Sequence, residues 1–114
     1  MEVRGDSYLV CFDPERAAVV CEGVLDLRGK EGYGEISQLL ERGVEADNPL
    51  VTLDLKNLEF LNSSGITTLG GFIIKLRDRQ VGQLRVLCSN RYSWQSRSMR
   101  GLQKLMPEMA LEFE

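Results

Sequence analysis

The sequence predicts an α/β domain: a small, mostly parallel mixed β-sheet with helices packed on it, in the order β-β-α-β-α-β-α-β. Three observations lead there. β-Rich runs alternate with stretches whose apolar residues recur every three or four positions, the signature of strands crossing over through amphipathic helices. The first two β-rich runs are separated by only about four residues, which makes them an antiparallel hairpin at one edge. The length of 114 residues, with 43% hydrophobic and 27% charged residues, suits one soluble domain that buries a core without staples. Residues 1–114 are therefore read as a single domain, its core running from about Tyr8 to Phe113.

Tyr8 to Phe12 is the first strand, and Asp13-Pro14-Glu15-Arg16 the turn that follows it, proline presetting the backbone at the second position. Ala17 to Glu22 returns as the second strand, and Gly23 interrupts the pattern before Val24-Leu25-Asp26. A glycine-rich segment, RGKEGYG, lacks the spacing of a phosphate-binding loop and leads into a helix. Tyr33, Ile36, Leu39, Leu40 and Val44 form its buried stripe, with Gly43 and Asn48-Pro49 marking its end.

Leu50 to Leu55 is rich enough in leucine and β-branched residues to be an interior strand, and the helix before it implies a parallel neighbour, the second strand. Ile66, Leu69, Phe72, Ile73 and Leu76 give the next helix its apolar stripe, with Arg77 and Arg79 suited to the negative end of its dipole. Gly70-Gly71 inside that helix costs roughly 1 kcal/mol per glycine relative to alanine, and close packing against the sheet is the expected reason. Gly82 closes the helix; Leu84 to Cys88 is a strand, and Ser89-Asn90 is placed to cap the last helix, about Tyr92 to Leu105. Pro107 stops it, and Ala110 to Phe113 is a short closing strand.

Composition removes several chemistries. Histidine is absent, so no Ser-His-Asp or Cys-His arrangement can form within the chain. Cys11, Cys21 and Cys88 lie singly in apolar runs, without the pairing of a zinc or redox motif, and read as small buried hydrophobes. No metal or cofactor is expected. A net charge of −3 argues against a nucleic-acid partner, whose phosphates demand clustered Lys and Arg. The N-terminus MEVRGDS lacks a basic segment followed by an apolar one, and no apolar run approaches the roughly 20 residues that span a bilayer. A cytoplasmic protein without membrane insertion is the expectation. The sequence leaves the oligomeric state open.

The candidate site is the junction Asn62-Ser63-Ser64-Gly65, where Phe60-Leu61 gives way to a helix. Asn and Ser are preferred N-cap residues because their side-chain oxygens accept from first-turn N–H groups that lack intrahelical partners. A cap alone is one reading. A regulatory serine is the other, since a phosphate there would meet the same donors and the positive end of the helix dipole.

The segment Val51-Thr52-Leu53-Asp54-Leu55, Leu58 and Phe60-Leu61-Asn62-Ser63-Ser64-Gly65-Ile66 resembles the central motif of STAS domains, in particular the bacterial anti-sigma-factor antagonists. Glu22-Gly23-Val24-Leu25-Asp26 is similar to the Gly-x-Leu-Asp element of that family, and the element order agrees from about Tyr8 to Phe113. The resemblance implies a non-catalytic signalling module whose protein partner is a serine kinase or anti-sigma factor, with a phosphatase as a further partner. It implies that Ser63 is the phosphorylated residue and that Asp26 lies on the partner-facing surface, with Asn62, Ser64 and Gly65 completing the partner contact. Asn62 stands where the family carries an acidic residue, which removes a negative charge beside the acceptor serine and a contact a kinase could read.

Two other readings accompany this one. The chain can be a constitutive assembly subunit of a larger signalling or transport complex, with Ser63 only a helix cap. A hydrolase with Ser63 as nucleophile lacks a histidine and a lysine close in sequence to serve as base. Arg91, Tyr92, Trp94, Arg97 and Arg100 make the last helix rich in interface-prone types; Trp94 is either core with a solvated arginine face, or part of a docking surface.

Overall fold

The computed structural model describes residues 1–45, 50–79 and 82–114. Its elements in chain order are β1 (Glu2–Arg4), β2 (Tyr8–Asp13), β3 (Ala18–Leu25), α1 (Gly29–Gly32), α2 (Gly34–Glu45), β4 (Leu50–Leu61), α3 (Ser63–Arg79), β5 (Gln83–Cys88), α4 (Ser93–Gln103) and β6 (Ala110–Phe113). The six strands form one sheet in sequence order. β1, β2 and β3 pair antiparallel, and β3, β4, β5 and β6 pair parallel, so the expected mixed sheet with its opening hairpin is present, the hairpin lying one strand in from the edge that β1 forms.

Alternate strand residues, Val10, Val19, Cys21, Leu53, Leu55, Leu84, Val86 and Cys88, are buried in one apolar core with the helix residues Ile36, Leu39, Leu40, Leu69, Phe72, Ile73, Leu76, Met99 and Leu102. The intervening residues take the other side of the pleat. There Arg85 makes a paired contact with Glu112, and Asp54 meets Arg16 at 3.0 Å. α2 touches β1, β2 and β3 as well as α3, and α3 touches α4, so the long helices lie side by side.

Several elements differ from the sequence expectation, each for a local reason. The polar N-terminus contributes a strand, β1, because edge pairing to β2 needs only a short run with one half-buried apolar residue, Val3. The glycine-rich segment folds its first residues into the single turn α1 before Tyr33 and α2. The expected stop at Asn48-Pro49 lies outside the described residues. β4 continues past Leu55 to Leu61: two register shifts let the eight residues of β3 run alongside ten of β4, from Thr52 to Leu61. Gly23, at φ +88°, sits at one of those shifts, and a side chain there would collide with the carbonyl of Ser7, so glycine is required rather than disruptive.

Beyond Asp54, β4 has outrun β5, whose pairing ends at Leu87. α4 supplies what the missing strand would. Gln95, fully buried, donates to the Leu55 carbonyl at 2.7 Å and the Leu58 carbonyl at 2.9 Å, and accepts from the Ser89 N–H at 2.8 Å. Trp94 donates through Nε1 to the Glu59 carbonyl at 2.8 Å and is half-buried against the core. Ser89-Asn90 does not cap α4, whose cap residue is Tyr92 without a side-chain bond; Ser89 Oγ accepts from the Arg91 N–H instead. Cys21 and Cys88 are buried as expected, but Cys11 is only partly so, because it points to the side of the sheet away from the core. Burial pushes the Cys21 thiol up to about 12 and the Cys88 thiol to about 11.

Candidate functional site

The site forms where β3 and β4 end side by side, Leu25 paired with Leu61, and the chain leaves each strand toward a helix. After β3 it passes through Asp26, Leu27 and Arg28 into α1; after β4 it passes through Asn62 into α3. Parallel strands thus deliver Asp26 and Asn62, 36 residues apart in sequence, to one place. The Asn62 N–H donates to the Leu25 carbonyl at 3.1 Å, which continues the strand pairing one step into the junction.

Asn62 is the hub. Its Oδ1 accepts from the Gly65 N–H at 3.0 Å, the bond of an N-cap to the third residue of its helix. The same oxygen takes the Tyr33 hydroxyl at 2.6 Å. Its Nδ2 donates to the Leu27 carbonyl at 2.6 Å and to Asp26 Oδ1 at 3.1 Å. An amide is the side chain that can serve two acceptors and two donors at once; a carboxylate there would turn an oxygen toward both Asp26 and the Leu27 carbonyl.

This arrangement corrects the cap assignment. Ser63 is the first residue of α3 and Asn62 is its cap, so the reading of Ser63 as a helix cap does not hold. Asn62 wins because its longer side chain also reaches Tyr33, Leu27 and Asp26. Ser64 bonds elsewhere, its Oγ accepting from the Gly29 N–H at 3.3 Å and so tying α1 to α3. Ser63 is exposed, and its hydroxyl has no hydrogen-bond partner among the described residues. Gly65 is buried, and a Cβ there would run into Leu61 and come within 2.8 Å of the Tyr33 hydroxyl. The junction therefore brings all five expected residues, Asp26, Asn62, Ser63, Ser64 and Gly65, into one cluster.

Tyr33 was legible only as an apolar position of a helical stripe. Its ring is buried, yet its hydroxyl bridges the two loops, accepting from the Leu27 N–H at 3.4 Å while donating to Asn62. Burial raises its pKa, the Leu27 N–H opposes that, and Asp26 and Tyr8 add to the rise. A buried tyrosine needs a partner for its polar tip, and that requirement was the available signal.

Beside the cluster a groove of about 660 Å³ runs between α2 and α3. Ser63 and Ser64 lie at its upper end with Lys30; Lys75 and Glu41, which pair with each other, lie at its lower end. The hydrogen bond from Lys75 holds the Glu41 carboxyl below the usual carboxylate range. No group of three or more His, Cys, Asp or Glu side chains placed to hold a metal ion occurs among the described residues. No described helix is long and apolar enough to cross a membrane.

The architecture is that of the STAS fold. Among solved structures the chain is similar to one in the crystal structure of the diguanylate cyclase SiaD in complex with its activator SiaC from Pseudomonas aeruginosa. That match has a TM-score of 0.71 and 16% identity, covering 99% of this chain and 97% of that one. SiaC of Pseudomonas aeruginosa matches with a TM-score of 0.61 and 17% identity, over 99% and 93% of the two chains. An anti-sigma factor antagonist from Mycobacterium paratuberculosis matches with a TM-score of 0.67 and 22% identity, over 96% and 88%. At these identities the likeness is one of fold. No protein-family model matches the sequence, and no curated protein matches it by sequence.

Proposed function

We propose that this chain is a non-catalytic regulatory module that binds a protein partner, a serine kinase or anti-sigma-type protein, through Asp26 and the Asn62-Ser63-Ser64-Gly65 junction, and that phosphorylation of Ser63 releases the partner. One observation carries the choice of residue. At a junction where the side chains of Asn62 and Ser64 are taken up by internal hydrogen bonds, the Ser63 hydroxyl is exposed and uncommitted among the described residues. It can accept a phosphate without dismantling the cap. The fold shared with an anti-sigma factor antagonist, and with the activator SiaC, supports a binding role over a catalytic one.

Phosphate adds about −1.5 to −2 charges. Asp26 already places a carboxylate at this surface, so the modified junction concentrates negative charge. In a fitted interface that charge must be desolvated, and the complex weakens although the free domain barely moves. The test is binding of the chain to its kinase-type partner, measured with Ser63→Asp and Ser63→Ala. Weaker binding by the aspartate variant alone supports the switch; equal affinities sink it.

Asn62 favours a second reading. Without an acidic residue ahead of the serine, and with its amide fully engaged inside the fold, the junction also suits a constitutive assembly subunit. Incubation with a serine kinase of the anti-sigma class and ATP, read by intact mass beside a substrate which that kinase labels, separates the two. One added phosphate that disappears in Ser63→Ala marks the switch, and no addition marks the assembly subunit.

A further inference from the structure

We infer that the groove between α2 and α3 seats an acidic amphipathic helix of the protein partner, laid along α3 from Ser63 toward Lys75. The seat rests on the partner-binding role proposed above and does not require that Ser63 be phosphorylated. Its floor is apolar, Leu40 from α2 and Phe72 from α3, both buried beneath the opening. Its walls are small where a helix would lie closest: Gly34 and Ser37 on one side, Thr68 and Gly71 on the other.

Gly71 is informative. It sits in the middle of a 17-residue helix, is exposed, and a Cβ built on it meets nothing within 4 Å. Its neighbour Gly70 is explained within the chain, since a Cβ there touches Leu102 at 3.4 Å and Leu105 at 3.7 Å, which is packing against α4 and the turn after it rather than the sheet. Gly71 gains nothing of that kind from the described residues. What a side chain at 71 would occupy is the groove.

Length and hydrogen bonding select a helix as occupant. Ser63 to Lys75 spans about 18 Å along α3, the length of roughly 12 helical residues. Below the first-turn N–H groups of Ser63 and Ser64 at the upper end, the helical walls offer no free backbone groups to pair with, and the Thr67 and Thr68 hydroxyls already donate to the Ser63 and Ser64 carbonyls. An extended segment would leave its own N–H and C=O groups unpaired on docking, whereas a helix satisfies them internally.

Charge selects its sign. Among the described residues Glu41 is the one carboxylate in the groove lining and is paired with Lys75, while Lys30 has no ion-pair partner. The lining is thus net positive in a chain of net charge −3, and complements acidic side chains flanking an apolar stripe.

The experiment is selection of conformationally constrained helical peptides, displayed on phage, against the full chain, with the winners assayed on Gly71→Trp and Lys30→Glu. The expected pool is net acidic with apolar residues at spacings of three and four. It shifts the amide resonances of Ser37, Thr68 and Gly71, and binds either variant at least about tenfold more weakly. Lys30→Glu lies on the exposed rim and keeps the test valid should Gly71→Trp fail to fold. An unenriched or basic pool, shifts confined to other surfaces, or unchanged binding to Lys30→Glu overturns the seat. Peptide binding that persists in Ser63→Ala, together with absence of labelling by a kinase, would remove the switch while leaving the seat standing.

Discussion

Asn62 donates through Nδ2 to Asp26 Oδ1 at 3.1 Å, so the residue ahead of the serine pair is held by the carboxylate that closes the neighbouring strand's exit. The same NH₂ group donates to the Leu27 carbonyl at 2.6 Å. Asn62→Asp therefore keeps the shape and the cap oxygen but aims an acceptor at two acceptors. The expected cost is about 1–3 kcal/mol, that of leaving partly buried polar groups unsatisfied and facing like charge. Asp26→Asn in the same chain restores a donor between the two side chains and recovers part of the loss. Urea midpoints of the two single variants and the double variant check this; strict additivity would show that the 3.1 Å contact carries no coupling.

The cap and the acceptor serine are different residues, which separates their effects on stability. Ser63→Ala removes an exposed hydroxyl without a partner and should change stability by less than about 0.5 kcal/mol. Asn62→Ala deletes the cap and strands the Tyr33 hydroxyl, with an expected loss of about 2 kcal/mol or more. A thermal-melt comparison decides it. A larger loss in Ser63→Ala than in Asn62→Ala would return the cap to the serine.

Most of the fold was legible because it rests on periodicity. The stripe from Tyr33 to Val44, the stripe from Ile66 to Leu76 and the apolar strands between them each announce one buried face, and alternation of the two fixes parallel pairing. Long-range satisfaction of polar groups has no such period. Gln95 lies between Trp94 and Ser96 on a helix that reads as polar, and nothing local reveals that it caps the free edge of a strand 37 to 40 residues earlier. β1 escaped notice because a three-residue edge strand presents a single apolar position. At the site, the motif itself was readable, but the division of labour was not. Which of Asn62, Ser63 and Ser64 caps the helix depends on where Tyr33, Leu27 and Gly29 stand, and those positions are set by the sheet.

The glycines of α3 make a matched pair of predictions. Gly65 is in contact with Leu61 and Tyr33, and Gly65→Ala must displace one of them, lowering stability by about 1–3 kcal/mol and disturbing the site. Gly71 has open space around its missing Cβ, so Gly71→Ala should stabilise the isolated chain by about 0.5–1 kcal/mol through helix propensity. Chemical denaturation of the two variants measures both signs. A loss of stability in Gly71→Ala would mean that the chain itself needs that glycine.

Tyr33 ties the site to pH. Its phenol lies above the ordinary value of 10, chiefly because the ring is buried, with Asp26 and Tyr8 adding to the shift and the Leu27 N–H opposing it. The folded chain thus holds this proton more tightly than the unfolded chain. The stability it contributes is complete below pH 10 and is lost as pH rises from there through the folded-state value, where the donor to Asn62 Oδ1 disappears. In a spectrophotometric titration, a phenol step above pH 10 should belong to Tyr33 and vanish in Tyr33→Phe. The same variant should be less stable than the parent at neutral pH, where it lacks the bond to Asn62, and should lose less stability than the parent above pH 10. Identical alkaline profiles for the two proteins would show that the phenol does not hold the junction.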